Sequence, residues 1–383
     1  MNSRPCGHTL VSACKADVLT GVLFLDSRNQ AELPAHTSID PYRRIYIMVA
    51  NVDKRIAFVS GAFYTADQSQ YFWTFMAGIE QLVYLDGQYH SKDTAKISVY
   101  DHGLLYGDGV FEGIRAYNGT VFRLREHIDR LYEGLKVTRI EVSYSKEDMA
   151  NAVVETLRKN NYIDAYIRLV ITRGRGSLGL DPRSCAKSSV IIMAEPVATD
   201  HGKEAREKGV TAIISGYRRD MVDGTTHELK SLNYIQSVMA KFQAIDAGAD
   251  EVVMLDHRGL VSEFHGSNIF VVKQNTINTP TSAAGILHGV TRARVIKLAE
   301  ELGYEVRERD ITPYELLTSD EVFLTGTMAE VKPVIKIQGV AIGEGKPGPI
   351  TREIIRGFLR ITMDPKEGTP IGLVPVQART RPK

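Results

Sequence analysis

Cysteine, charge of one sign and long apolar runs are all scarce in this chain of 383 residues. Cys6, Cys14 and Cys185 have no C-x-x-C spacing and cannot all pair, which argues against a disulfide framework or a zinc site and fits a reducing cytoplasm. No apolar run approaches the roughly 18 residues that a membrane helix needs. Near the N-terminus Lys15 and Asp17 interrupt any signal-peptide core, and Asp17, Asp26, Glu32 and Asp40 argue against an organelle transit peptide. The 47 basic side chains are balanced by 46 acidic ones, so neither a nucleic-acid tail nor an acidic disordered protein is indicated. The expected partners are small molecules, with no nucleic acid and no membrane.

The length suits two domains of ordinary size. Residues 1–75 carry short apolar patches such as "GVLFLD" and "RIAFVSGAFY" without sustained period, and are taken as an unassigned N-terminal extension. After Met76, "AGIEQLVYLDGQYH" opens a regular domain, 76–200, in which "REHIDRLYEGLKV" sets Ile128, Leu131, Tyr132 and Leu135 on one helix face. "SKEDMANAVVETLRKN" follows as a second helix, with Ser145 and Asp148 spaced as a capping box. "DAYIRLVITRG", "SSVIIMAEPV" and "GVTAIISGYRR" read as strands. The non-periodic "EPVATDHGK" places a boundary near 196–203. A larger domain, 201–363, holds two strands around the turn "DHRG", a helix "VTRARVIKLAEELG" stopped by Gly303, and a last helix "PITREIIRGFLRI". The residues beyond Met363 are expected to be a loose tail. The fold class is therefore mixed α/β.

Within the larger domain, "ELKSLNYIQSVMAKFQAID" puts Lys230 just ahead of an amphipathic stripe, Leu232, Ile235, Val238, Met239, Phe242 and Ile245. A helix start is partially positive and disfavours a protonated amine. Lys230 either points into solvent or spends time neutral, as a nucleophile able to condense with a carbonyl. A phosphorylated carbonyl cofactor such as pyridoxal phosphate needs an amine, an anion site and a carboxylate for its ring nitrogen. "HGVTRARVI" offers Gly289, Val290 and Thr291 at a helix start, "LTGTMAE" offers Gly326 and Thr327, and "LVSEFHGSN" offers Glu263. Taken singly these are also an ordinary helix entry, a turn and a surface glutamate.

Together, "DHGLLYGDGVFEGIRAYNGTVFRLREHIDRL", "AYIRLVITRGRGSLGLDP", "ELKSLNYIQSVMAK", "GVTRARVIKLAEELG" and "FLTGTMAEVKPV", in this order, resemble the class IV aminotransferases. The closest likeness within that family is to the branched-chain amino-acid aminotransferases, and it spans about residues 82–361. The resemblance implies a two-domain fold type IV enzyme, like the D-amino-acid aminotransferases, with the active site between the domains. It implies Lys230 as Schiff-base lysine and general base, Glu263 on the pyridine nitrogen, and Tyr234 near the phenolic oxygen of the cofactor. Arg125 would bind the phosphate with Val290, Thr291 and Thr327. A substrate pocket would come from Tyr106, Phe111, Gly113, Arg115, Tyr166 and Arg168, with Met328 and Ala329 facing the α-carboxylate. The implied reaction moves the amino group of leucine, isoleucine or valine to 2-oxoglutarate, in a homo-oligomer, with no metal.

After the glutamate the family usually carries glycine and small residues, whereas this chain has Phe264 and His265. Phe264 would narrow the pocket, tilt the ring, or face the core if strand alternation turns it inward. Three alternatives share the fold or the chain: a D-amino-acid or (R)-amine aminotransferase, aminodeoxychorismate lyase, and a degenerate relative that only binds.

Overall fold

The computed structural model describes residues 48–52, 55–59, 80–198, 200–219 and 227–373. The chain divides into two compact units, 1–75 and 76–383. In the first, Met48–Val52 and Arg55–Val59 pair as an antiparallel hairpin. The remainder of the expected extension, and residues 374–383 of the expected tail, lie outside the described residues.

The second unit contains two sheets. One holds seven strands in the spatial order Gly368–Pro370, Thr120–Phe122, Gly109–Tyr117, Ala165–Thr172, Ser189–Pro196, Leu82–Leu85 and Gln88–Ser91, all paired antiparallel. The strand Gly109–Tyr117 is buried at all nine positions: the helices Leu124–Thr138 and Lys146–Asn160 cover one side of its sheet, where Val110, Ile114 and Ala116 point, and Tyr117 on the other side packs into a second core. Ile114, Ile128, Leu131, Val153, Leu157 and Ile167 meet in that core. The helix Lys146–Asn160 begins in the expected capping box: the Ser145 hydroxyl accepts from the Asp148 N–H and the Asp148 carboxylate accepts from the Ser145 N–H.

The other sheet runs Val261–Phe264, Glu251–Leu255, Val210–Arg218, Glu330–Ile337, Glu321–Gly326, Asn268–Lys273, Thr276–Thr279 and Val306–Glu308, with Val340–Ala341 beside Glu330–Ile337. Its parallel and antiparallel pairs are mixed. The helices Val290–Glu301 and Pro349–Thr362 pack on it through Val295, Leu298, Ile354 and Phe358, around the stacked rings of Phe270 and Phe323. Tyr117 and Phe122 of the first sheet enter this same cluster. The turn at "DHRG" and the stop at Gly303 lie where expected, and Gly259 and Gly303 adopt the left-handed backbone that such positions require.

Two expectations are corrected, and one open alternative is decided. Residues 364–373 are not loose, because Gly368–Pro370 pairs with Thr120–Phe122 and Ile371 is fully buried. The helix after Lys230 begins only at Ile235, and it buries Ser237, Ala240 and Ala244, not its apolar stripe. Ile235, Val238, Met239, Phe242 and Ile245 all face outward, Ile235 with 72% of its surface exposed. Small side chains let this helix approach the sheet closely at Val252 and Met254. Lastly, Phe264 is 0% exposed and packs in a core with Val253, Ile269 and Leu324. Strand alternation turns Phe264 inward, so it does not narrow the pocket. Phe264→Ala is expected to cost about 3–5 kcal/mol of stability with the cavity of the site unchanged. Urea unfolding measures this, and a variant of undiminished stability with altered substrate preference would contradict the placement.

Among the described residues no helix is long and apolar enough to cross a membrane, and no cluster of three His, Cys, Asp or Glu side chains is arranged for a metal ion.

Candidate active site

Lys230 is held by backbone pairing, not by a helix. Its carbonyl accepts from Phe111 N–H at 3.0 Å, Leu232 N–H donates to Gly109 at 3.0 Å, and Ser231 bridges Val110. The segment is thus stitched to the edge of the buried strand Gly109–Tyr117, and its side chain enters a cavity of about 330 Å³. The Nζ atom lies 4.6 Å from the Phe111 ring centre and 3.3 Å from the Tyr234 hydroxyl. Burial, then the nearby Arg130 guanidinium, lowers the Lys230 pKa to about 8. The expected cause, a helix N-terminus, is therefore replaced by desolvation and a like charge. Burial pushes Tyr234 up to about 12.

The Glu263 carboxylate lines the same cavity and is fastened from three sides. Arg219 lies 3.1 Å from one oxygen, and the other accepts from Asn268 Nδ2 at 2.9 Å and Leu287 N–H at 3.1 Å. Burial raises its pKa, while Arg219 and the Leu287 N–H oppose the rise. Arg219 is itself buried, and it also donates to Phe264 O at 2.8 Å and Ser237 Oγ at 3.1 Å. Its run "YRRD" carries no sequence signal for this role.

At the helix Val290–Glu301 the N-cap is Gly289, with no side-chain cap, so the first N–H groups of Val290 and Thr291 are turned to the cavity without such a partner. A Cβ on Gly289 would stand 2.1 Å from Asn268 Oδ1, which is why glycine is needed beside the residue that steadies Glu263. Thr327, Met328 and Ala329 line the cavity from the opposing turn. Gly113 lines it as well, where a Cβ would stand 2.4 Å from the Tyr166 hydroxyl, so its lack of a side chain makes room for that group.

Of the expected residues, Lys230, Tyr234, Glu263, Val290, Thr291, Thr327, Phe111, Gly113, Tyr166, Met328 and Ala329 are brought together around the cavity. Arg168 stands behind its aromatic wall, 4.5 Å from the Phe111 ring centre. Arg115 is buried with Nη1 3.8 Å from Met328 Sδ. Tyr106 does not line the cavity of its own chain, because its hydroxyl is directed to the Leu178 carbonyl.

Arg125 is a correction. It is exposed on the helix Leu124–Thr138, while Arg130 of the same helix reaches the cavity. Arg130 donates to both oxygens of the fully buried Glu112 at 2.7 Å, and to His288 O at 2.6 Å. Burial alone would raise the Glu112 carboxyl, but Arg130 and His127 overcome it and hold its pKa at about 2. His265 is on the cavity side of its strand, as alternation from Glu263 demands, with Nδ1 3.1 Å from Glu251 Oε2.

An enclosed amine of lowered proton affinity, a fastened carboxylate and a helix N-terminus facing a glycine-threonine turn meet the needs of a phosphorylated carbonyl cofactor. The sequence profile described as "Amino-transferase class IV" matches residues 109–337, and the chain belongs to that family, with the fold type IV architecture. It is 51% identical over 276 residues to the "Putative branched-chain-amino-acid aminotransferase" of Methanocaldococcus jannaschii, covering 72% of this chain and 94% of that protein. The crystal structure of the Escherichia coli branched-chain amino acid aminotransferase superposes with a TM-score of 0.72 at 38% identity, covering 74% of this chain and 95% of that one. The T.th. branched-chain amino acid aminotransferase, crystallised with pyridoxamine 5'-phosphate, superposes with a TM-score of 0.72 at 37% identity, covering 75% of this chain and 96% of that one.

Proposed function

We propose that the protein is a branched-chain amino-acid aminotransferase that uses pyridoxal phosphate. It transfers the amino group of L-leucine, L-isoleucine or L-valine to 2-oxoglutarate, giving the 2-oxo acid and L-glutamate. The observation that carries the reading is the Lys230 amine, brought to a pKa of about 8 in a cavity shared with the fastened Glu263.

Bound there, pyridoxal phosphate would supply a carbonyl for amine exchange and a ring that spreads negative charge away from the substrate α-carbon. Lys230 acts as nucleophile and then as base, moving the proton that leaves the α-carbon. Glu263 holds a proton at the ring nitrogen. The N–H groups of Val290 and Thr291, with Thr327 and Arg130, hold the phosphate. Phe111 and Tyr166 form the wall against an aliphatic side chain, Arg168 and Arg115 stand behind it, and Met328 and Ala329 face the α-carboxylate. The exposed stripe from Ile235 to Ile245 supports self-association. The low cysteine content supports a cytoplasmic setting.

The visible spectrum of the holoenzyme tests this. The absorbance of cofactor bound through Lys230 should bleach with L-leucine and return with 2-oxoglutarate. Bleaching only with D-alanine or (R)-1-phenylethylamine would favour the D-amino-acid or amine enzyme, and release of pyruvate with 4-aminobenzoate would favour the lyase. Well-folded protein that acquires no such absorbance would favour the binding relative.

A further inference from the structure

A second groove, of about 390 Å³, lies between the helices Lys203–Lys208 and Pro349–Thr362 and shares no lining residue with the active-site cavity. Lys203, Arg206 and Glu207 line it at helical spacing from one side, and Arg352 and Arg356 do so from the other. Four cations therefore meet one carboxylate, although the whole chain carries 47 basic against 46 acidic side chains. Ile355, which is buried, and Leu359, half-buried, add an apolar patch to the same lining.

Most of the donors in the groove are uncommitted. Among the described residues Lys203 and Arg356 have no hydrogen bond or ion pair. Arg352 spends Nε on Pro347 O at 3.0 Å, which leaves its terminal nitrogens. Carboxylates on the same two helices are engaged elsewhere, Glu204 with Lys208 at 2.8 Å and Glu353 with the Tyr304 hydroxyl at 2.6 Å. Like charges gathered in a groove repel one another, and its walls focus their field, so an anion is the partner this groove is short of. Guanidinium forks match the oxygens of a phosphate.

Arg206 connects this groove to the active site. Its Nη1 donates to His201 O at 2.7 Å and to the buried Glu330 carboxylate. His201 lines the active-site cavity, and Glu330, paired with Gly326, closes the turn whose residues Thr327, Met328 and Ala329 line it too. Glu330 holds the left-handed backbone conformation, at φ 58°, which a side-chain-bearing residue keeps only with support from its surroundings. We propose that the groove binds the phosphate group of a small organic phosphate, and that Arg206 transmits its occupation to the active site. The bound anion competes with Glu330 and the His201 carbonyl for the guanidinium, and so loosens the turn against which substrate is held.

Titration calorimetry on the holoenzyme, whose own phosphate site is filled, tests the groove with three probes: phenyl phosphate, inorganic phosphate and phenol. Phenyl phosphate should bind more tightly than either of the others. The double variant Lys203→Gln, Arg356→Gln should weaken it by about 10–100-fold while basal kinetics stay within about twofold. Equal binding by the wild type and the double variant would overturn the site. Phenol binding as tightly as phenyl phosphate would overturn the phosphate, and equal affinity for inorganic phosphate would overturn the organic ligand. Saturating phenyl phosphate should also raise the KM for L-leucine about fivefold in the wild type, with kcat little changed, and should leave the double variant unaffected at the same concentration. An unchanged wild-type KM with the groove occupied would refute the role of Arg206. Only this kinetic arm rests on the aminotransferase reading; the calorimetric result holds whatever reaction the enzyme performs, so the two failures are distinct.

Discussion

Lys230→Ala is expected to remove transamination while leaving a folded protein that still takes up cofactor. Loss of a positioned base alone costs on the order of 10²–10⁴-fold, and loss of the nucleophile adds to it. With a pKa of about 8, roughly one Lys230 amine in ten is neutral at pH 7, against roughly one in three thousand for an ordinary lysine. The wild-type rate of the amine-dependent step should therefore climb as pH rises through 8 and level off above it, and the variant should lack that limb. Stability supplies the control. The folded pKa lies below the unfolded value of 10.5, so below pH 8 the fold carries a charged amine that burial disfavours, and stability rises with pH between the two values. Removing the amine relieves that cost, so the melting temperature of the variant at pH 7 should not fall. Single-turnover absorbance and calorimetry measure both, and a variant retaining a tenth of the wild-type rate would exclude Lys230 as the base.

Arg130→Ala and Arg125→Ala are expected to part company sharply. Glu112 is 0% exposed, and without Arg130 its carboxylate keeps only His127. An uncompensated buried charge of this kind costs about 3–5 kcal/mol. At about 2–4 °C per kcal/mol for a unit of this size, the melting temperature should drop by roughly 10 °C. Cofactor affinity should weaken too, by about 10–100-fold for a lost charge-assisted contact. Arg125 projects from the opposite flank of the helix into solvent, so its removal should change stability by less than about 0.5 kcal/mol and leave cofactor binding intact. Thermal melts and fluorescence titration of apoprotein with pyridoxal phosphate decide between them. Equal losses in the two variants would return Arg125 to the site.

That pair shows the limit of sequence reading. "FRLREHIDRL" announces a helix and several arginines, but Arg125 and Arg130 lie on opposite flanks of the apolar stripe. Periodicity cannot say which flank meets Glu112. Arg219 was silent for a similar reason: a charged residue ending a strand looks exposed until the segment carrying Glu263 folds over it. The stripe beginning at Leu232 was legible as a helix but misled about its orientation, since tight packing on the sheet selects Ser237, Ala240 and Ala244 over bulkier neighbours. The edge pairing of Gly368–Pro370 depended on a strand more than 240 residues earlier, beyond the reach of any local pattern.

What sequence alone determined was local: the capping box at Ser145, the turn at Gly259, the helix end at Gly303, and the ordered motifs that point to the family and to Lys230. These depend on backbone preferences and side-chain chemistry within a few residues. Tertiary structure decided which neighbours those groups meet. It put Phe264 in the core and His265 in the cavity, chose Arg130 over Arg125, and brought Lys230 to a pKa of about 8. Burial and charge are properties of the space around a residue, and strands distant in sequence build that space.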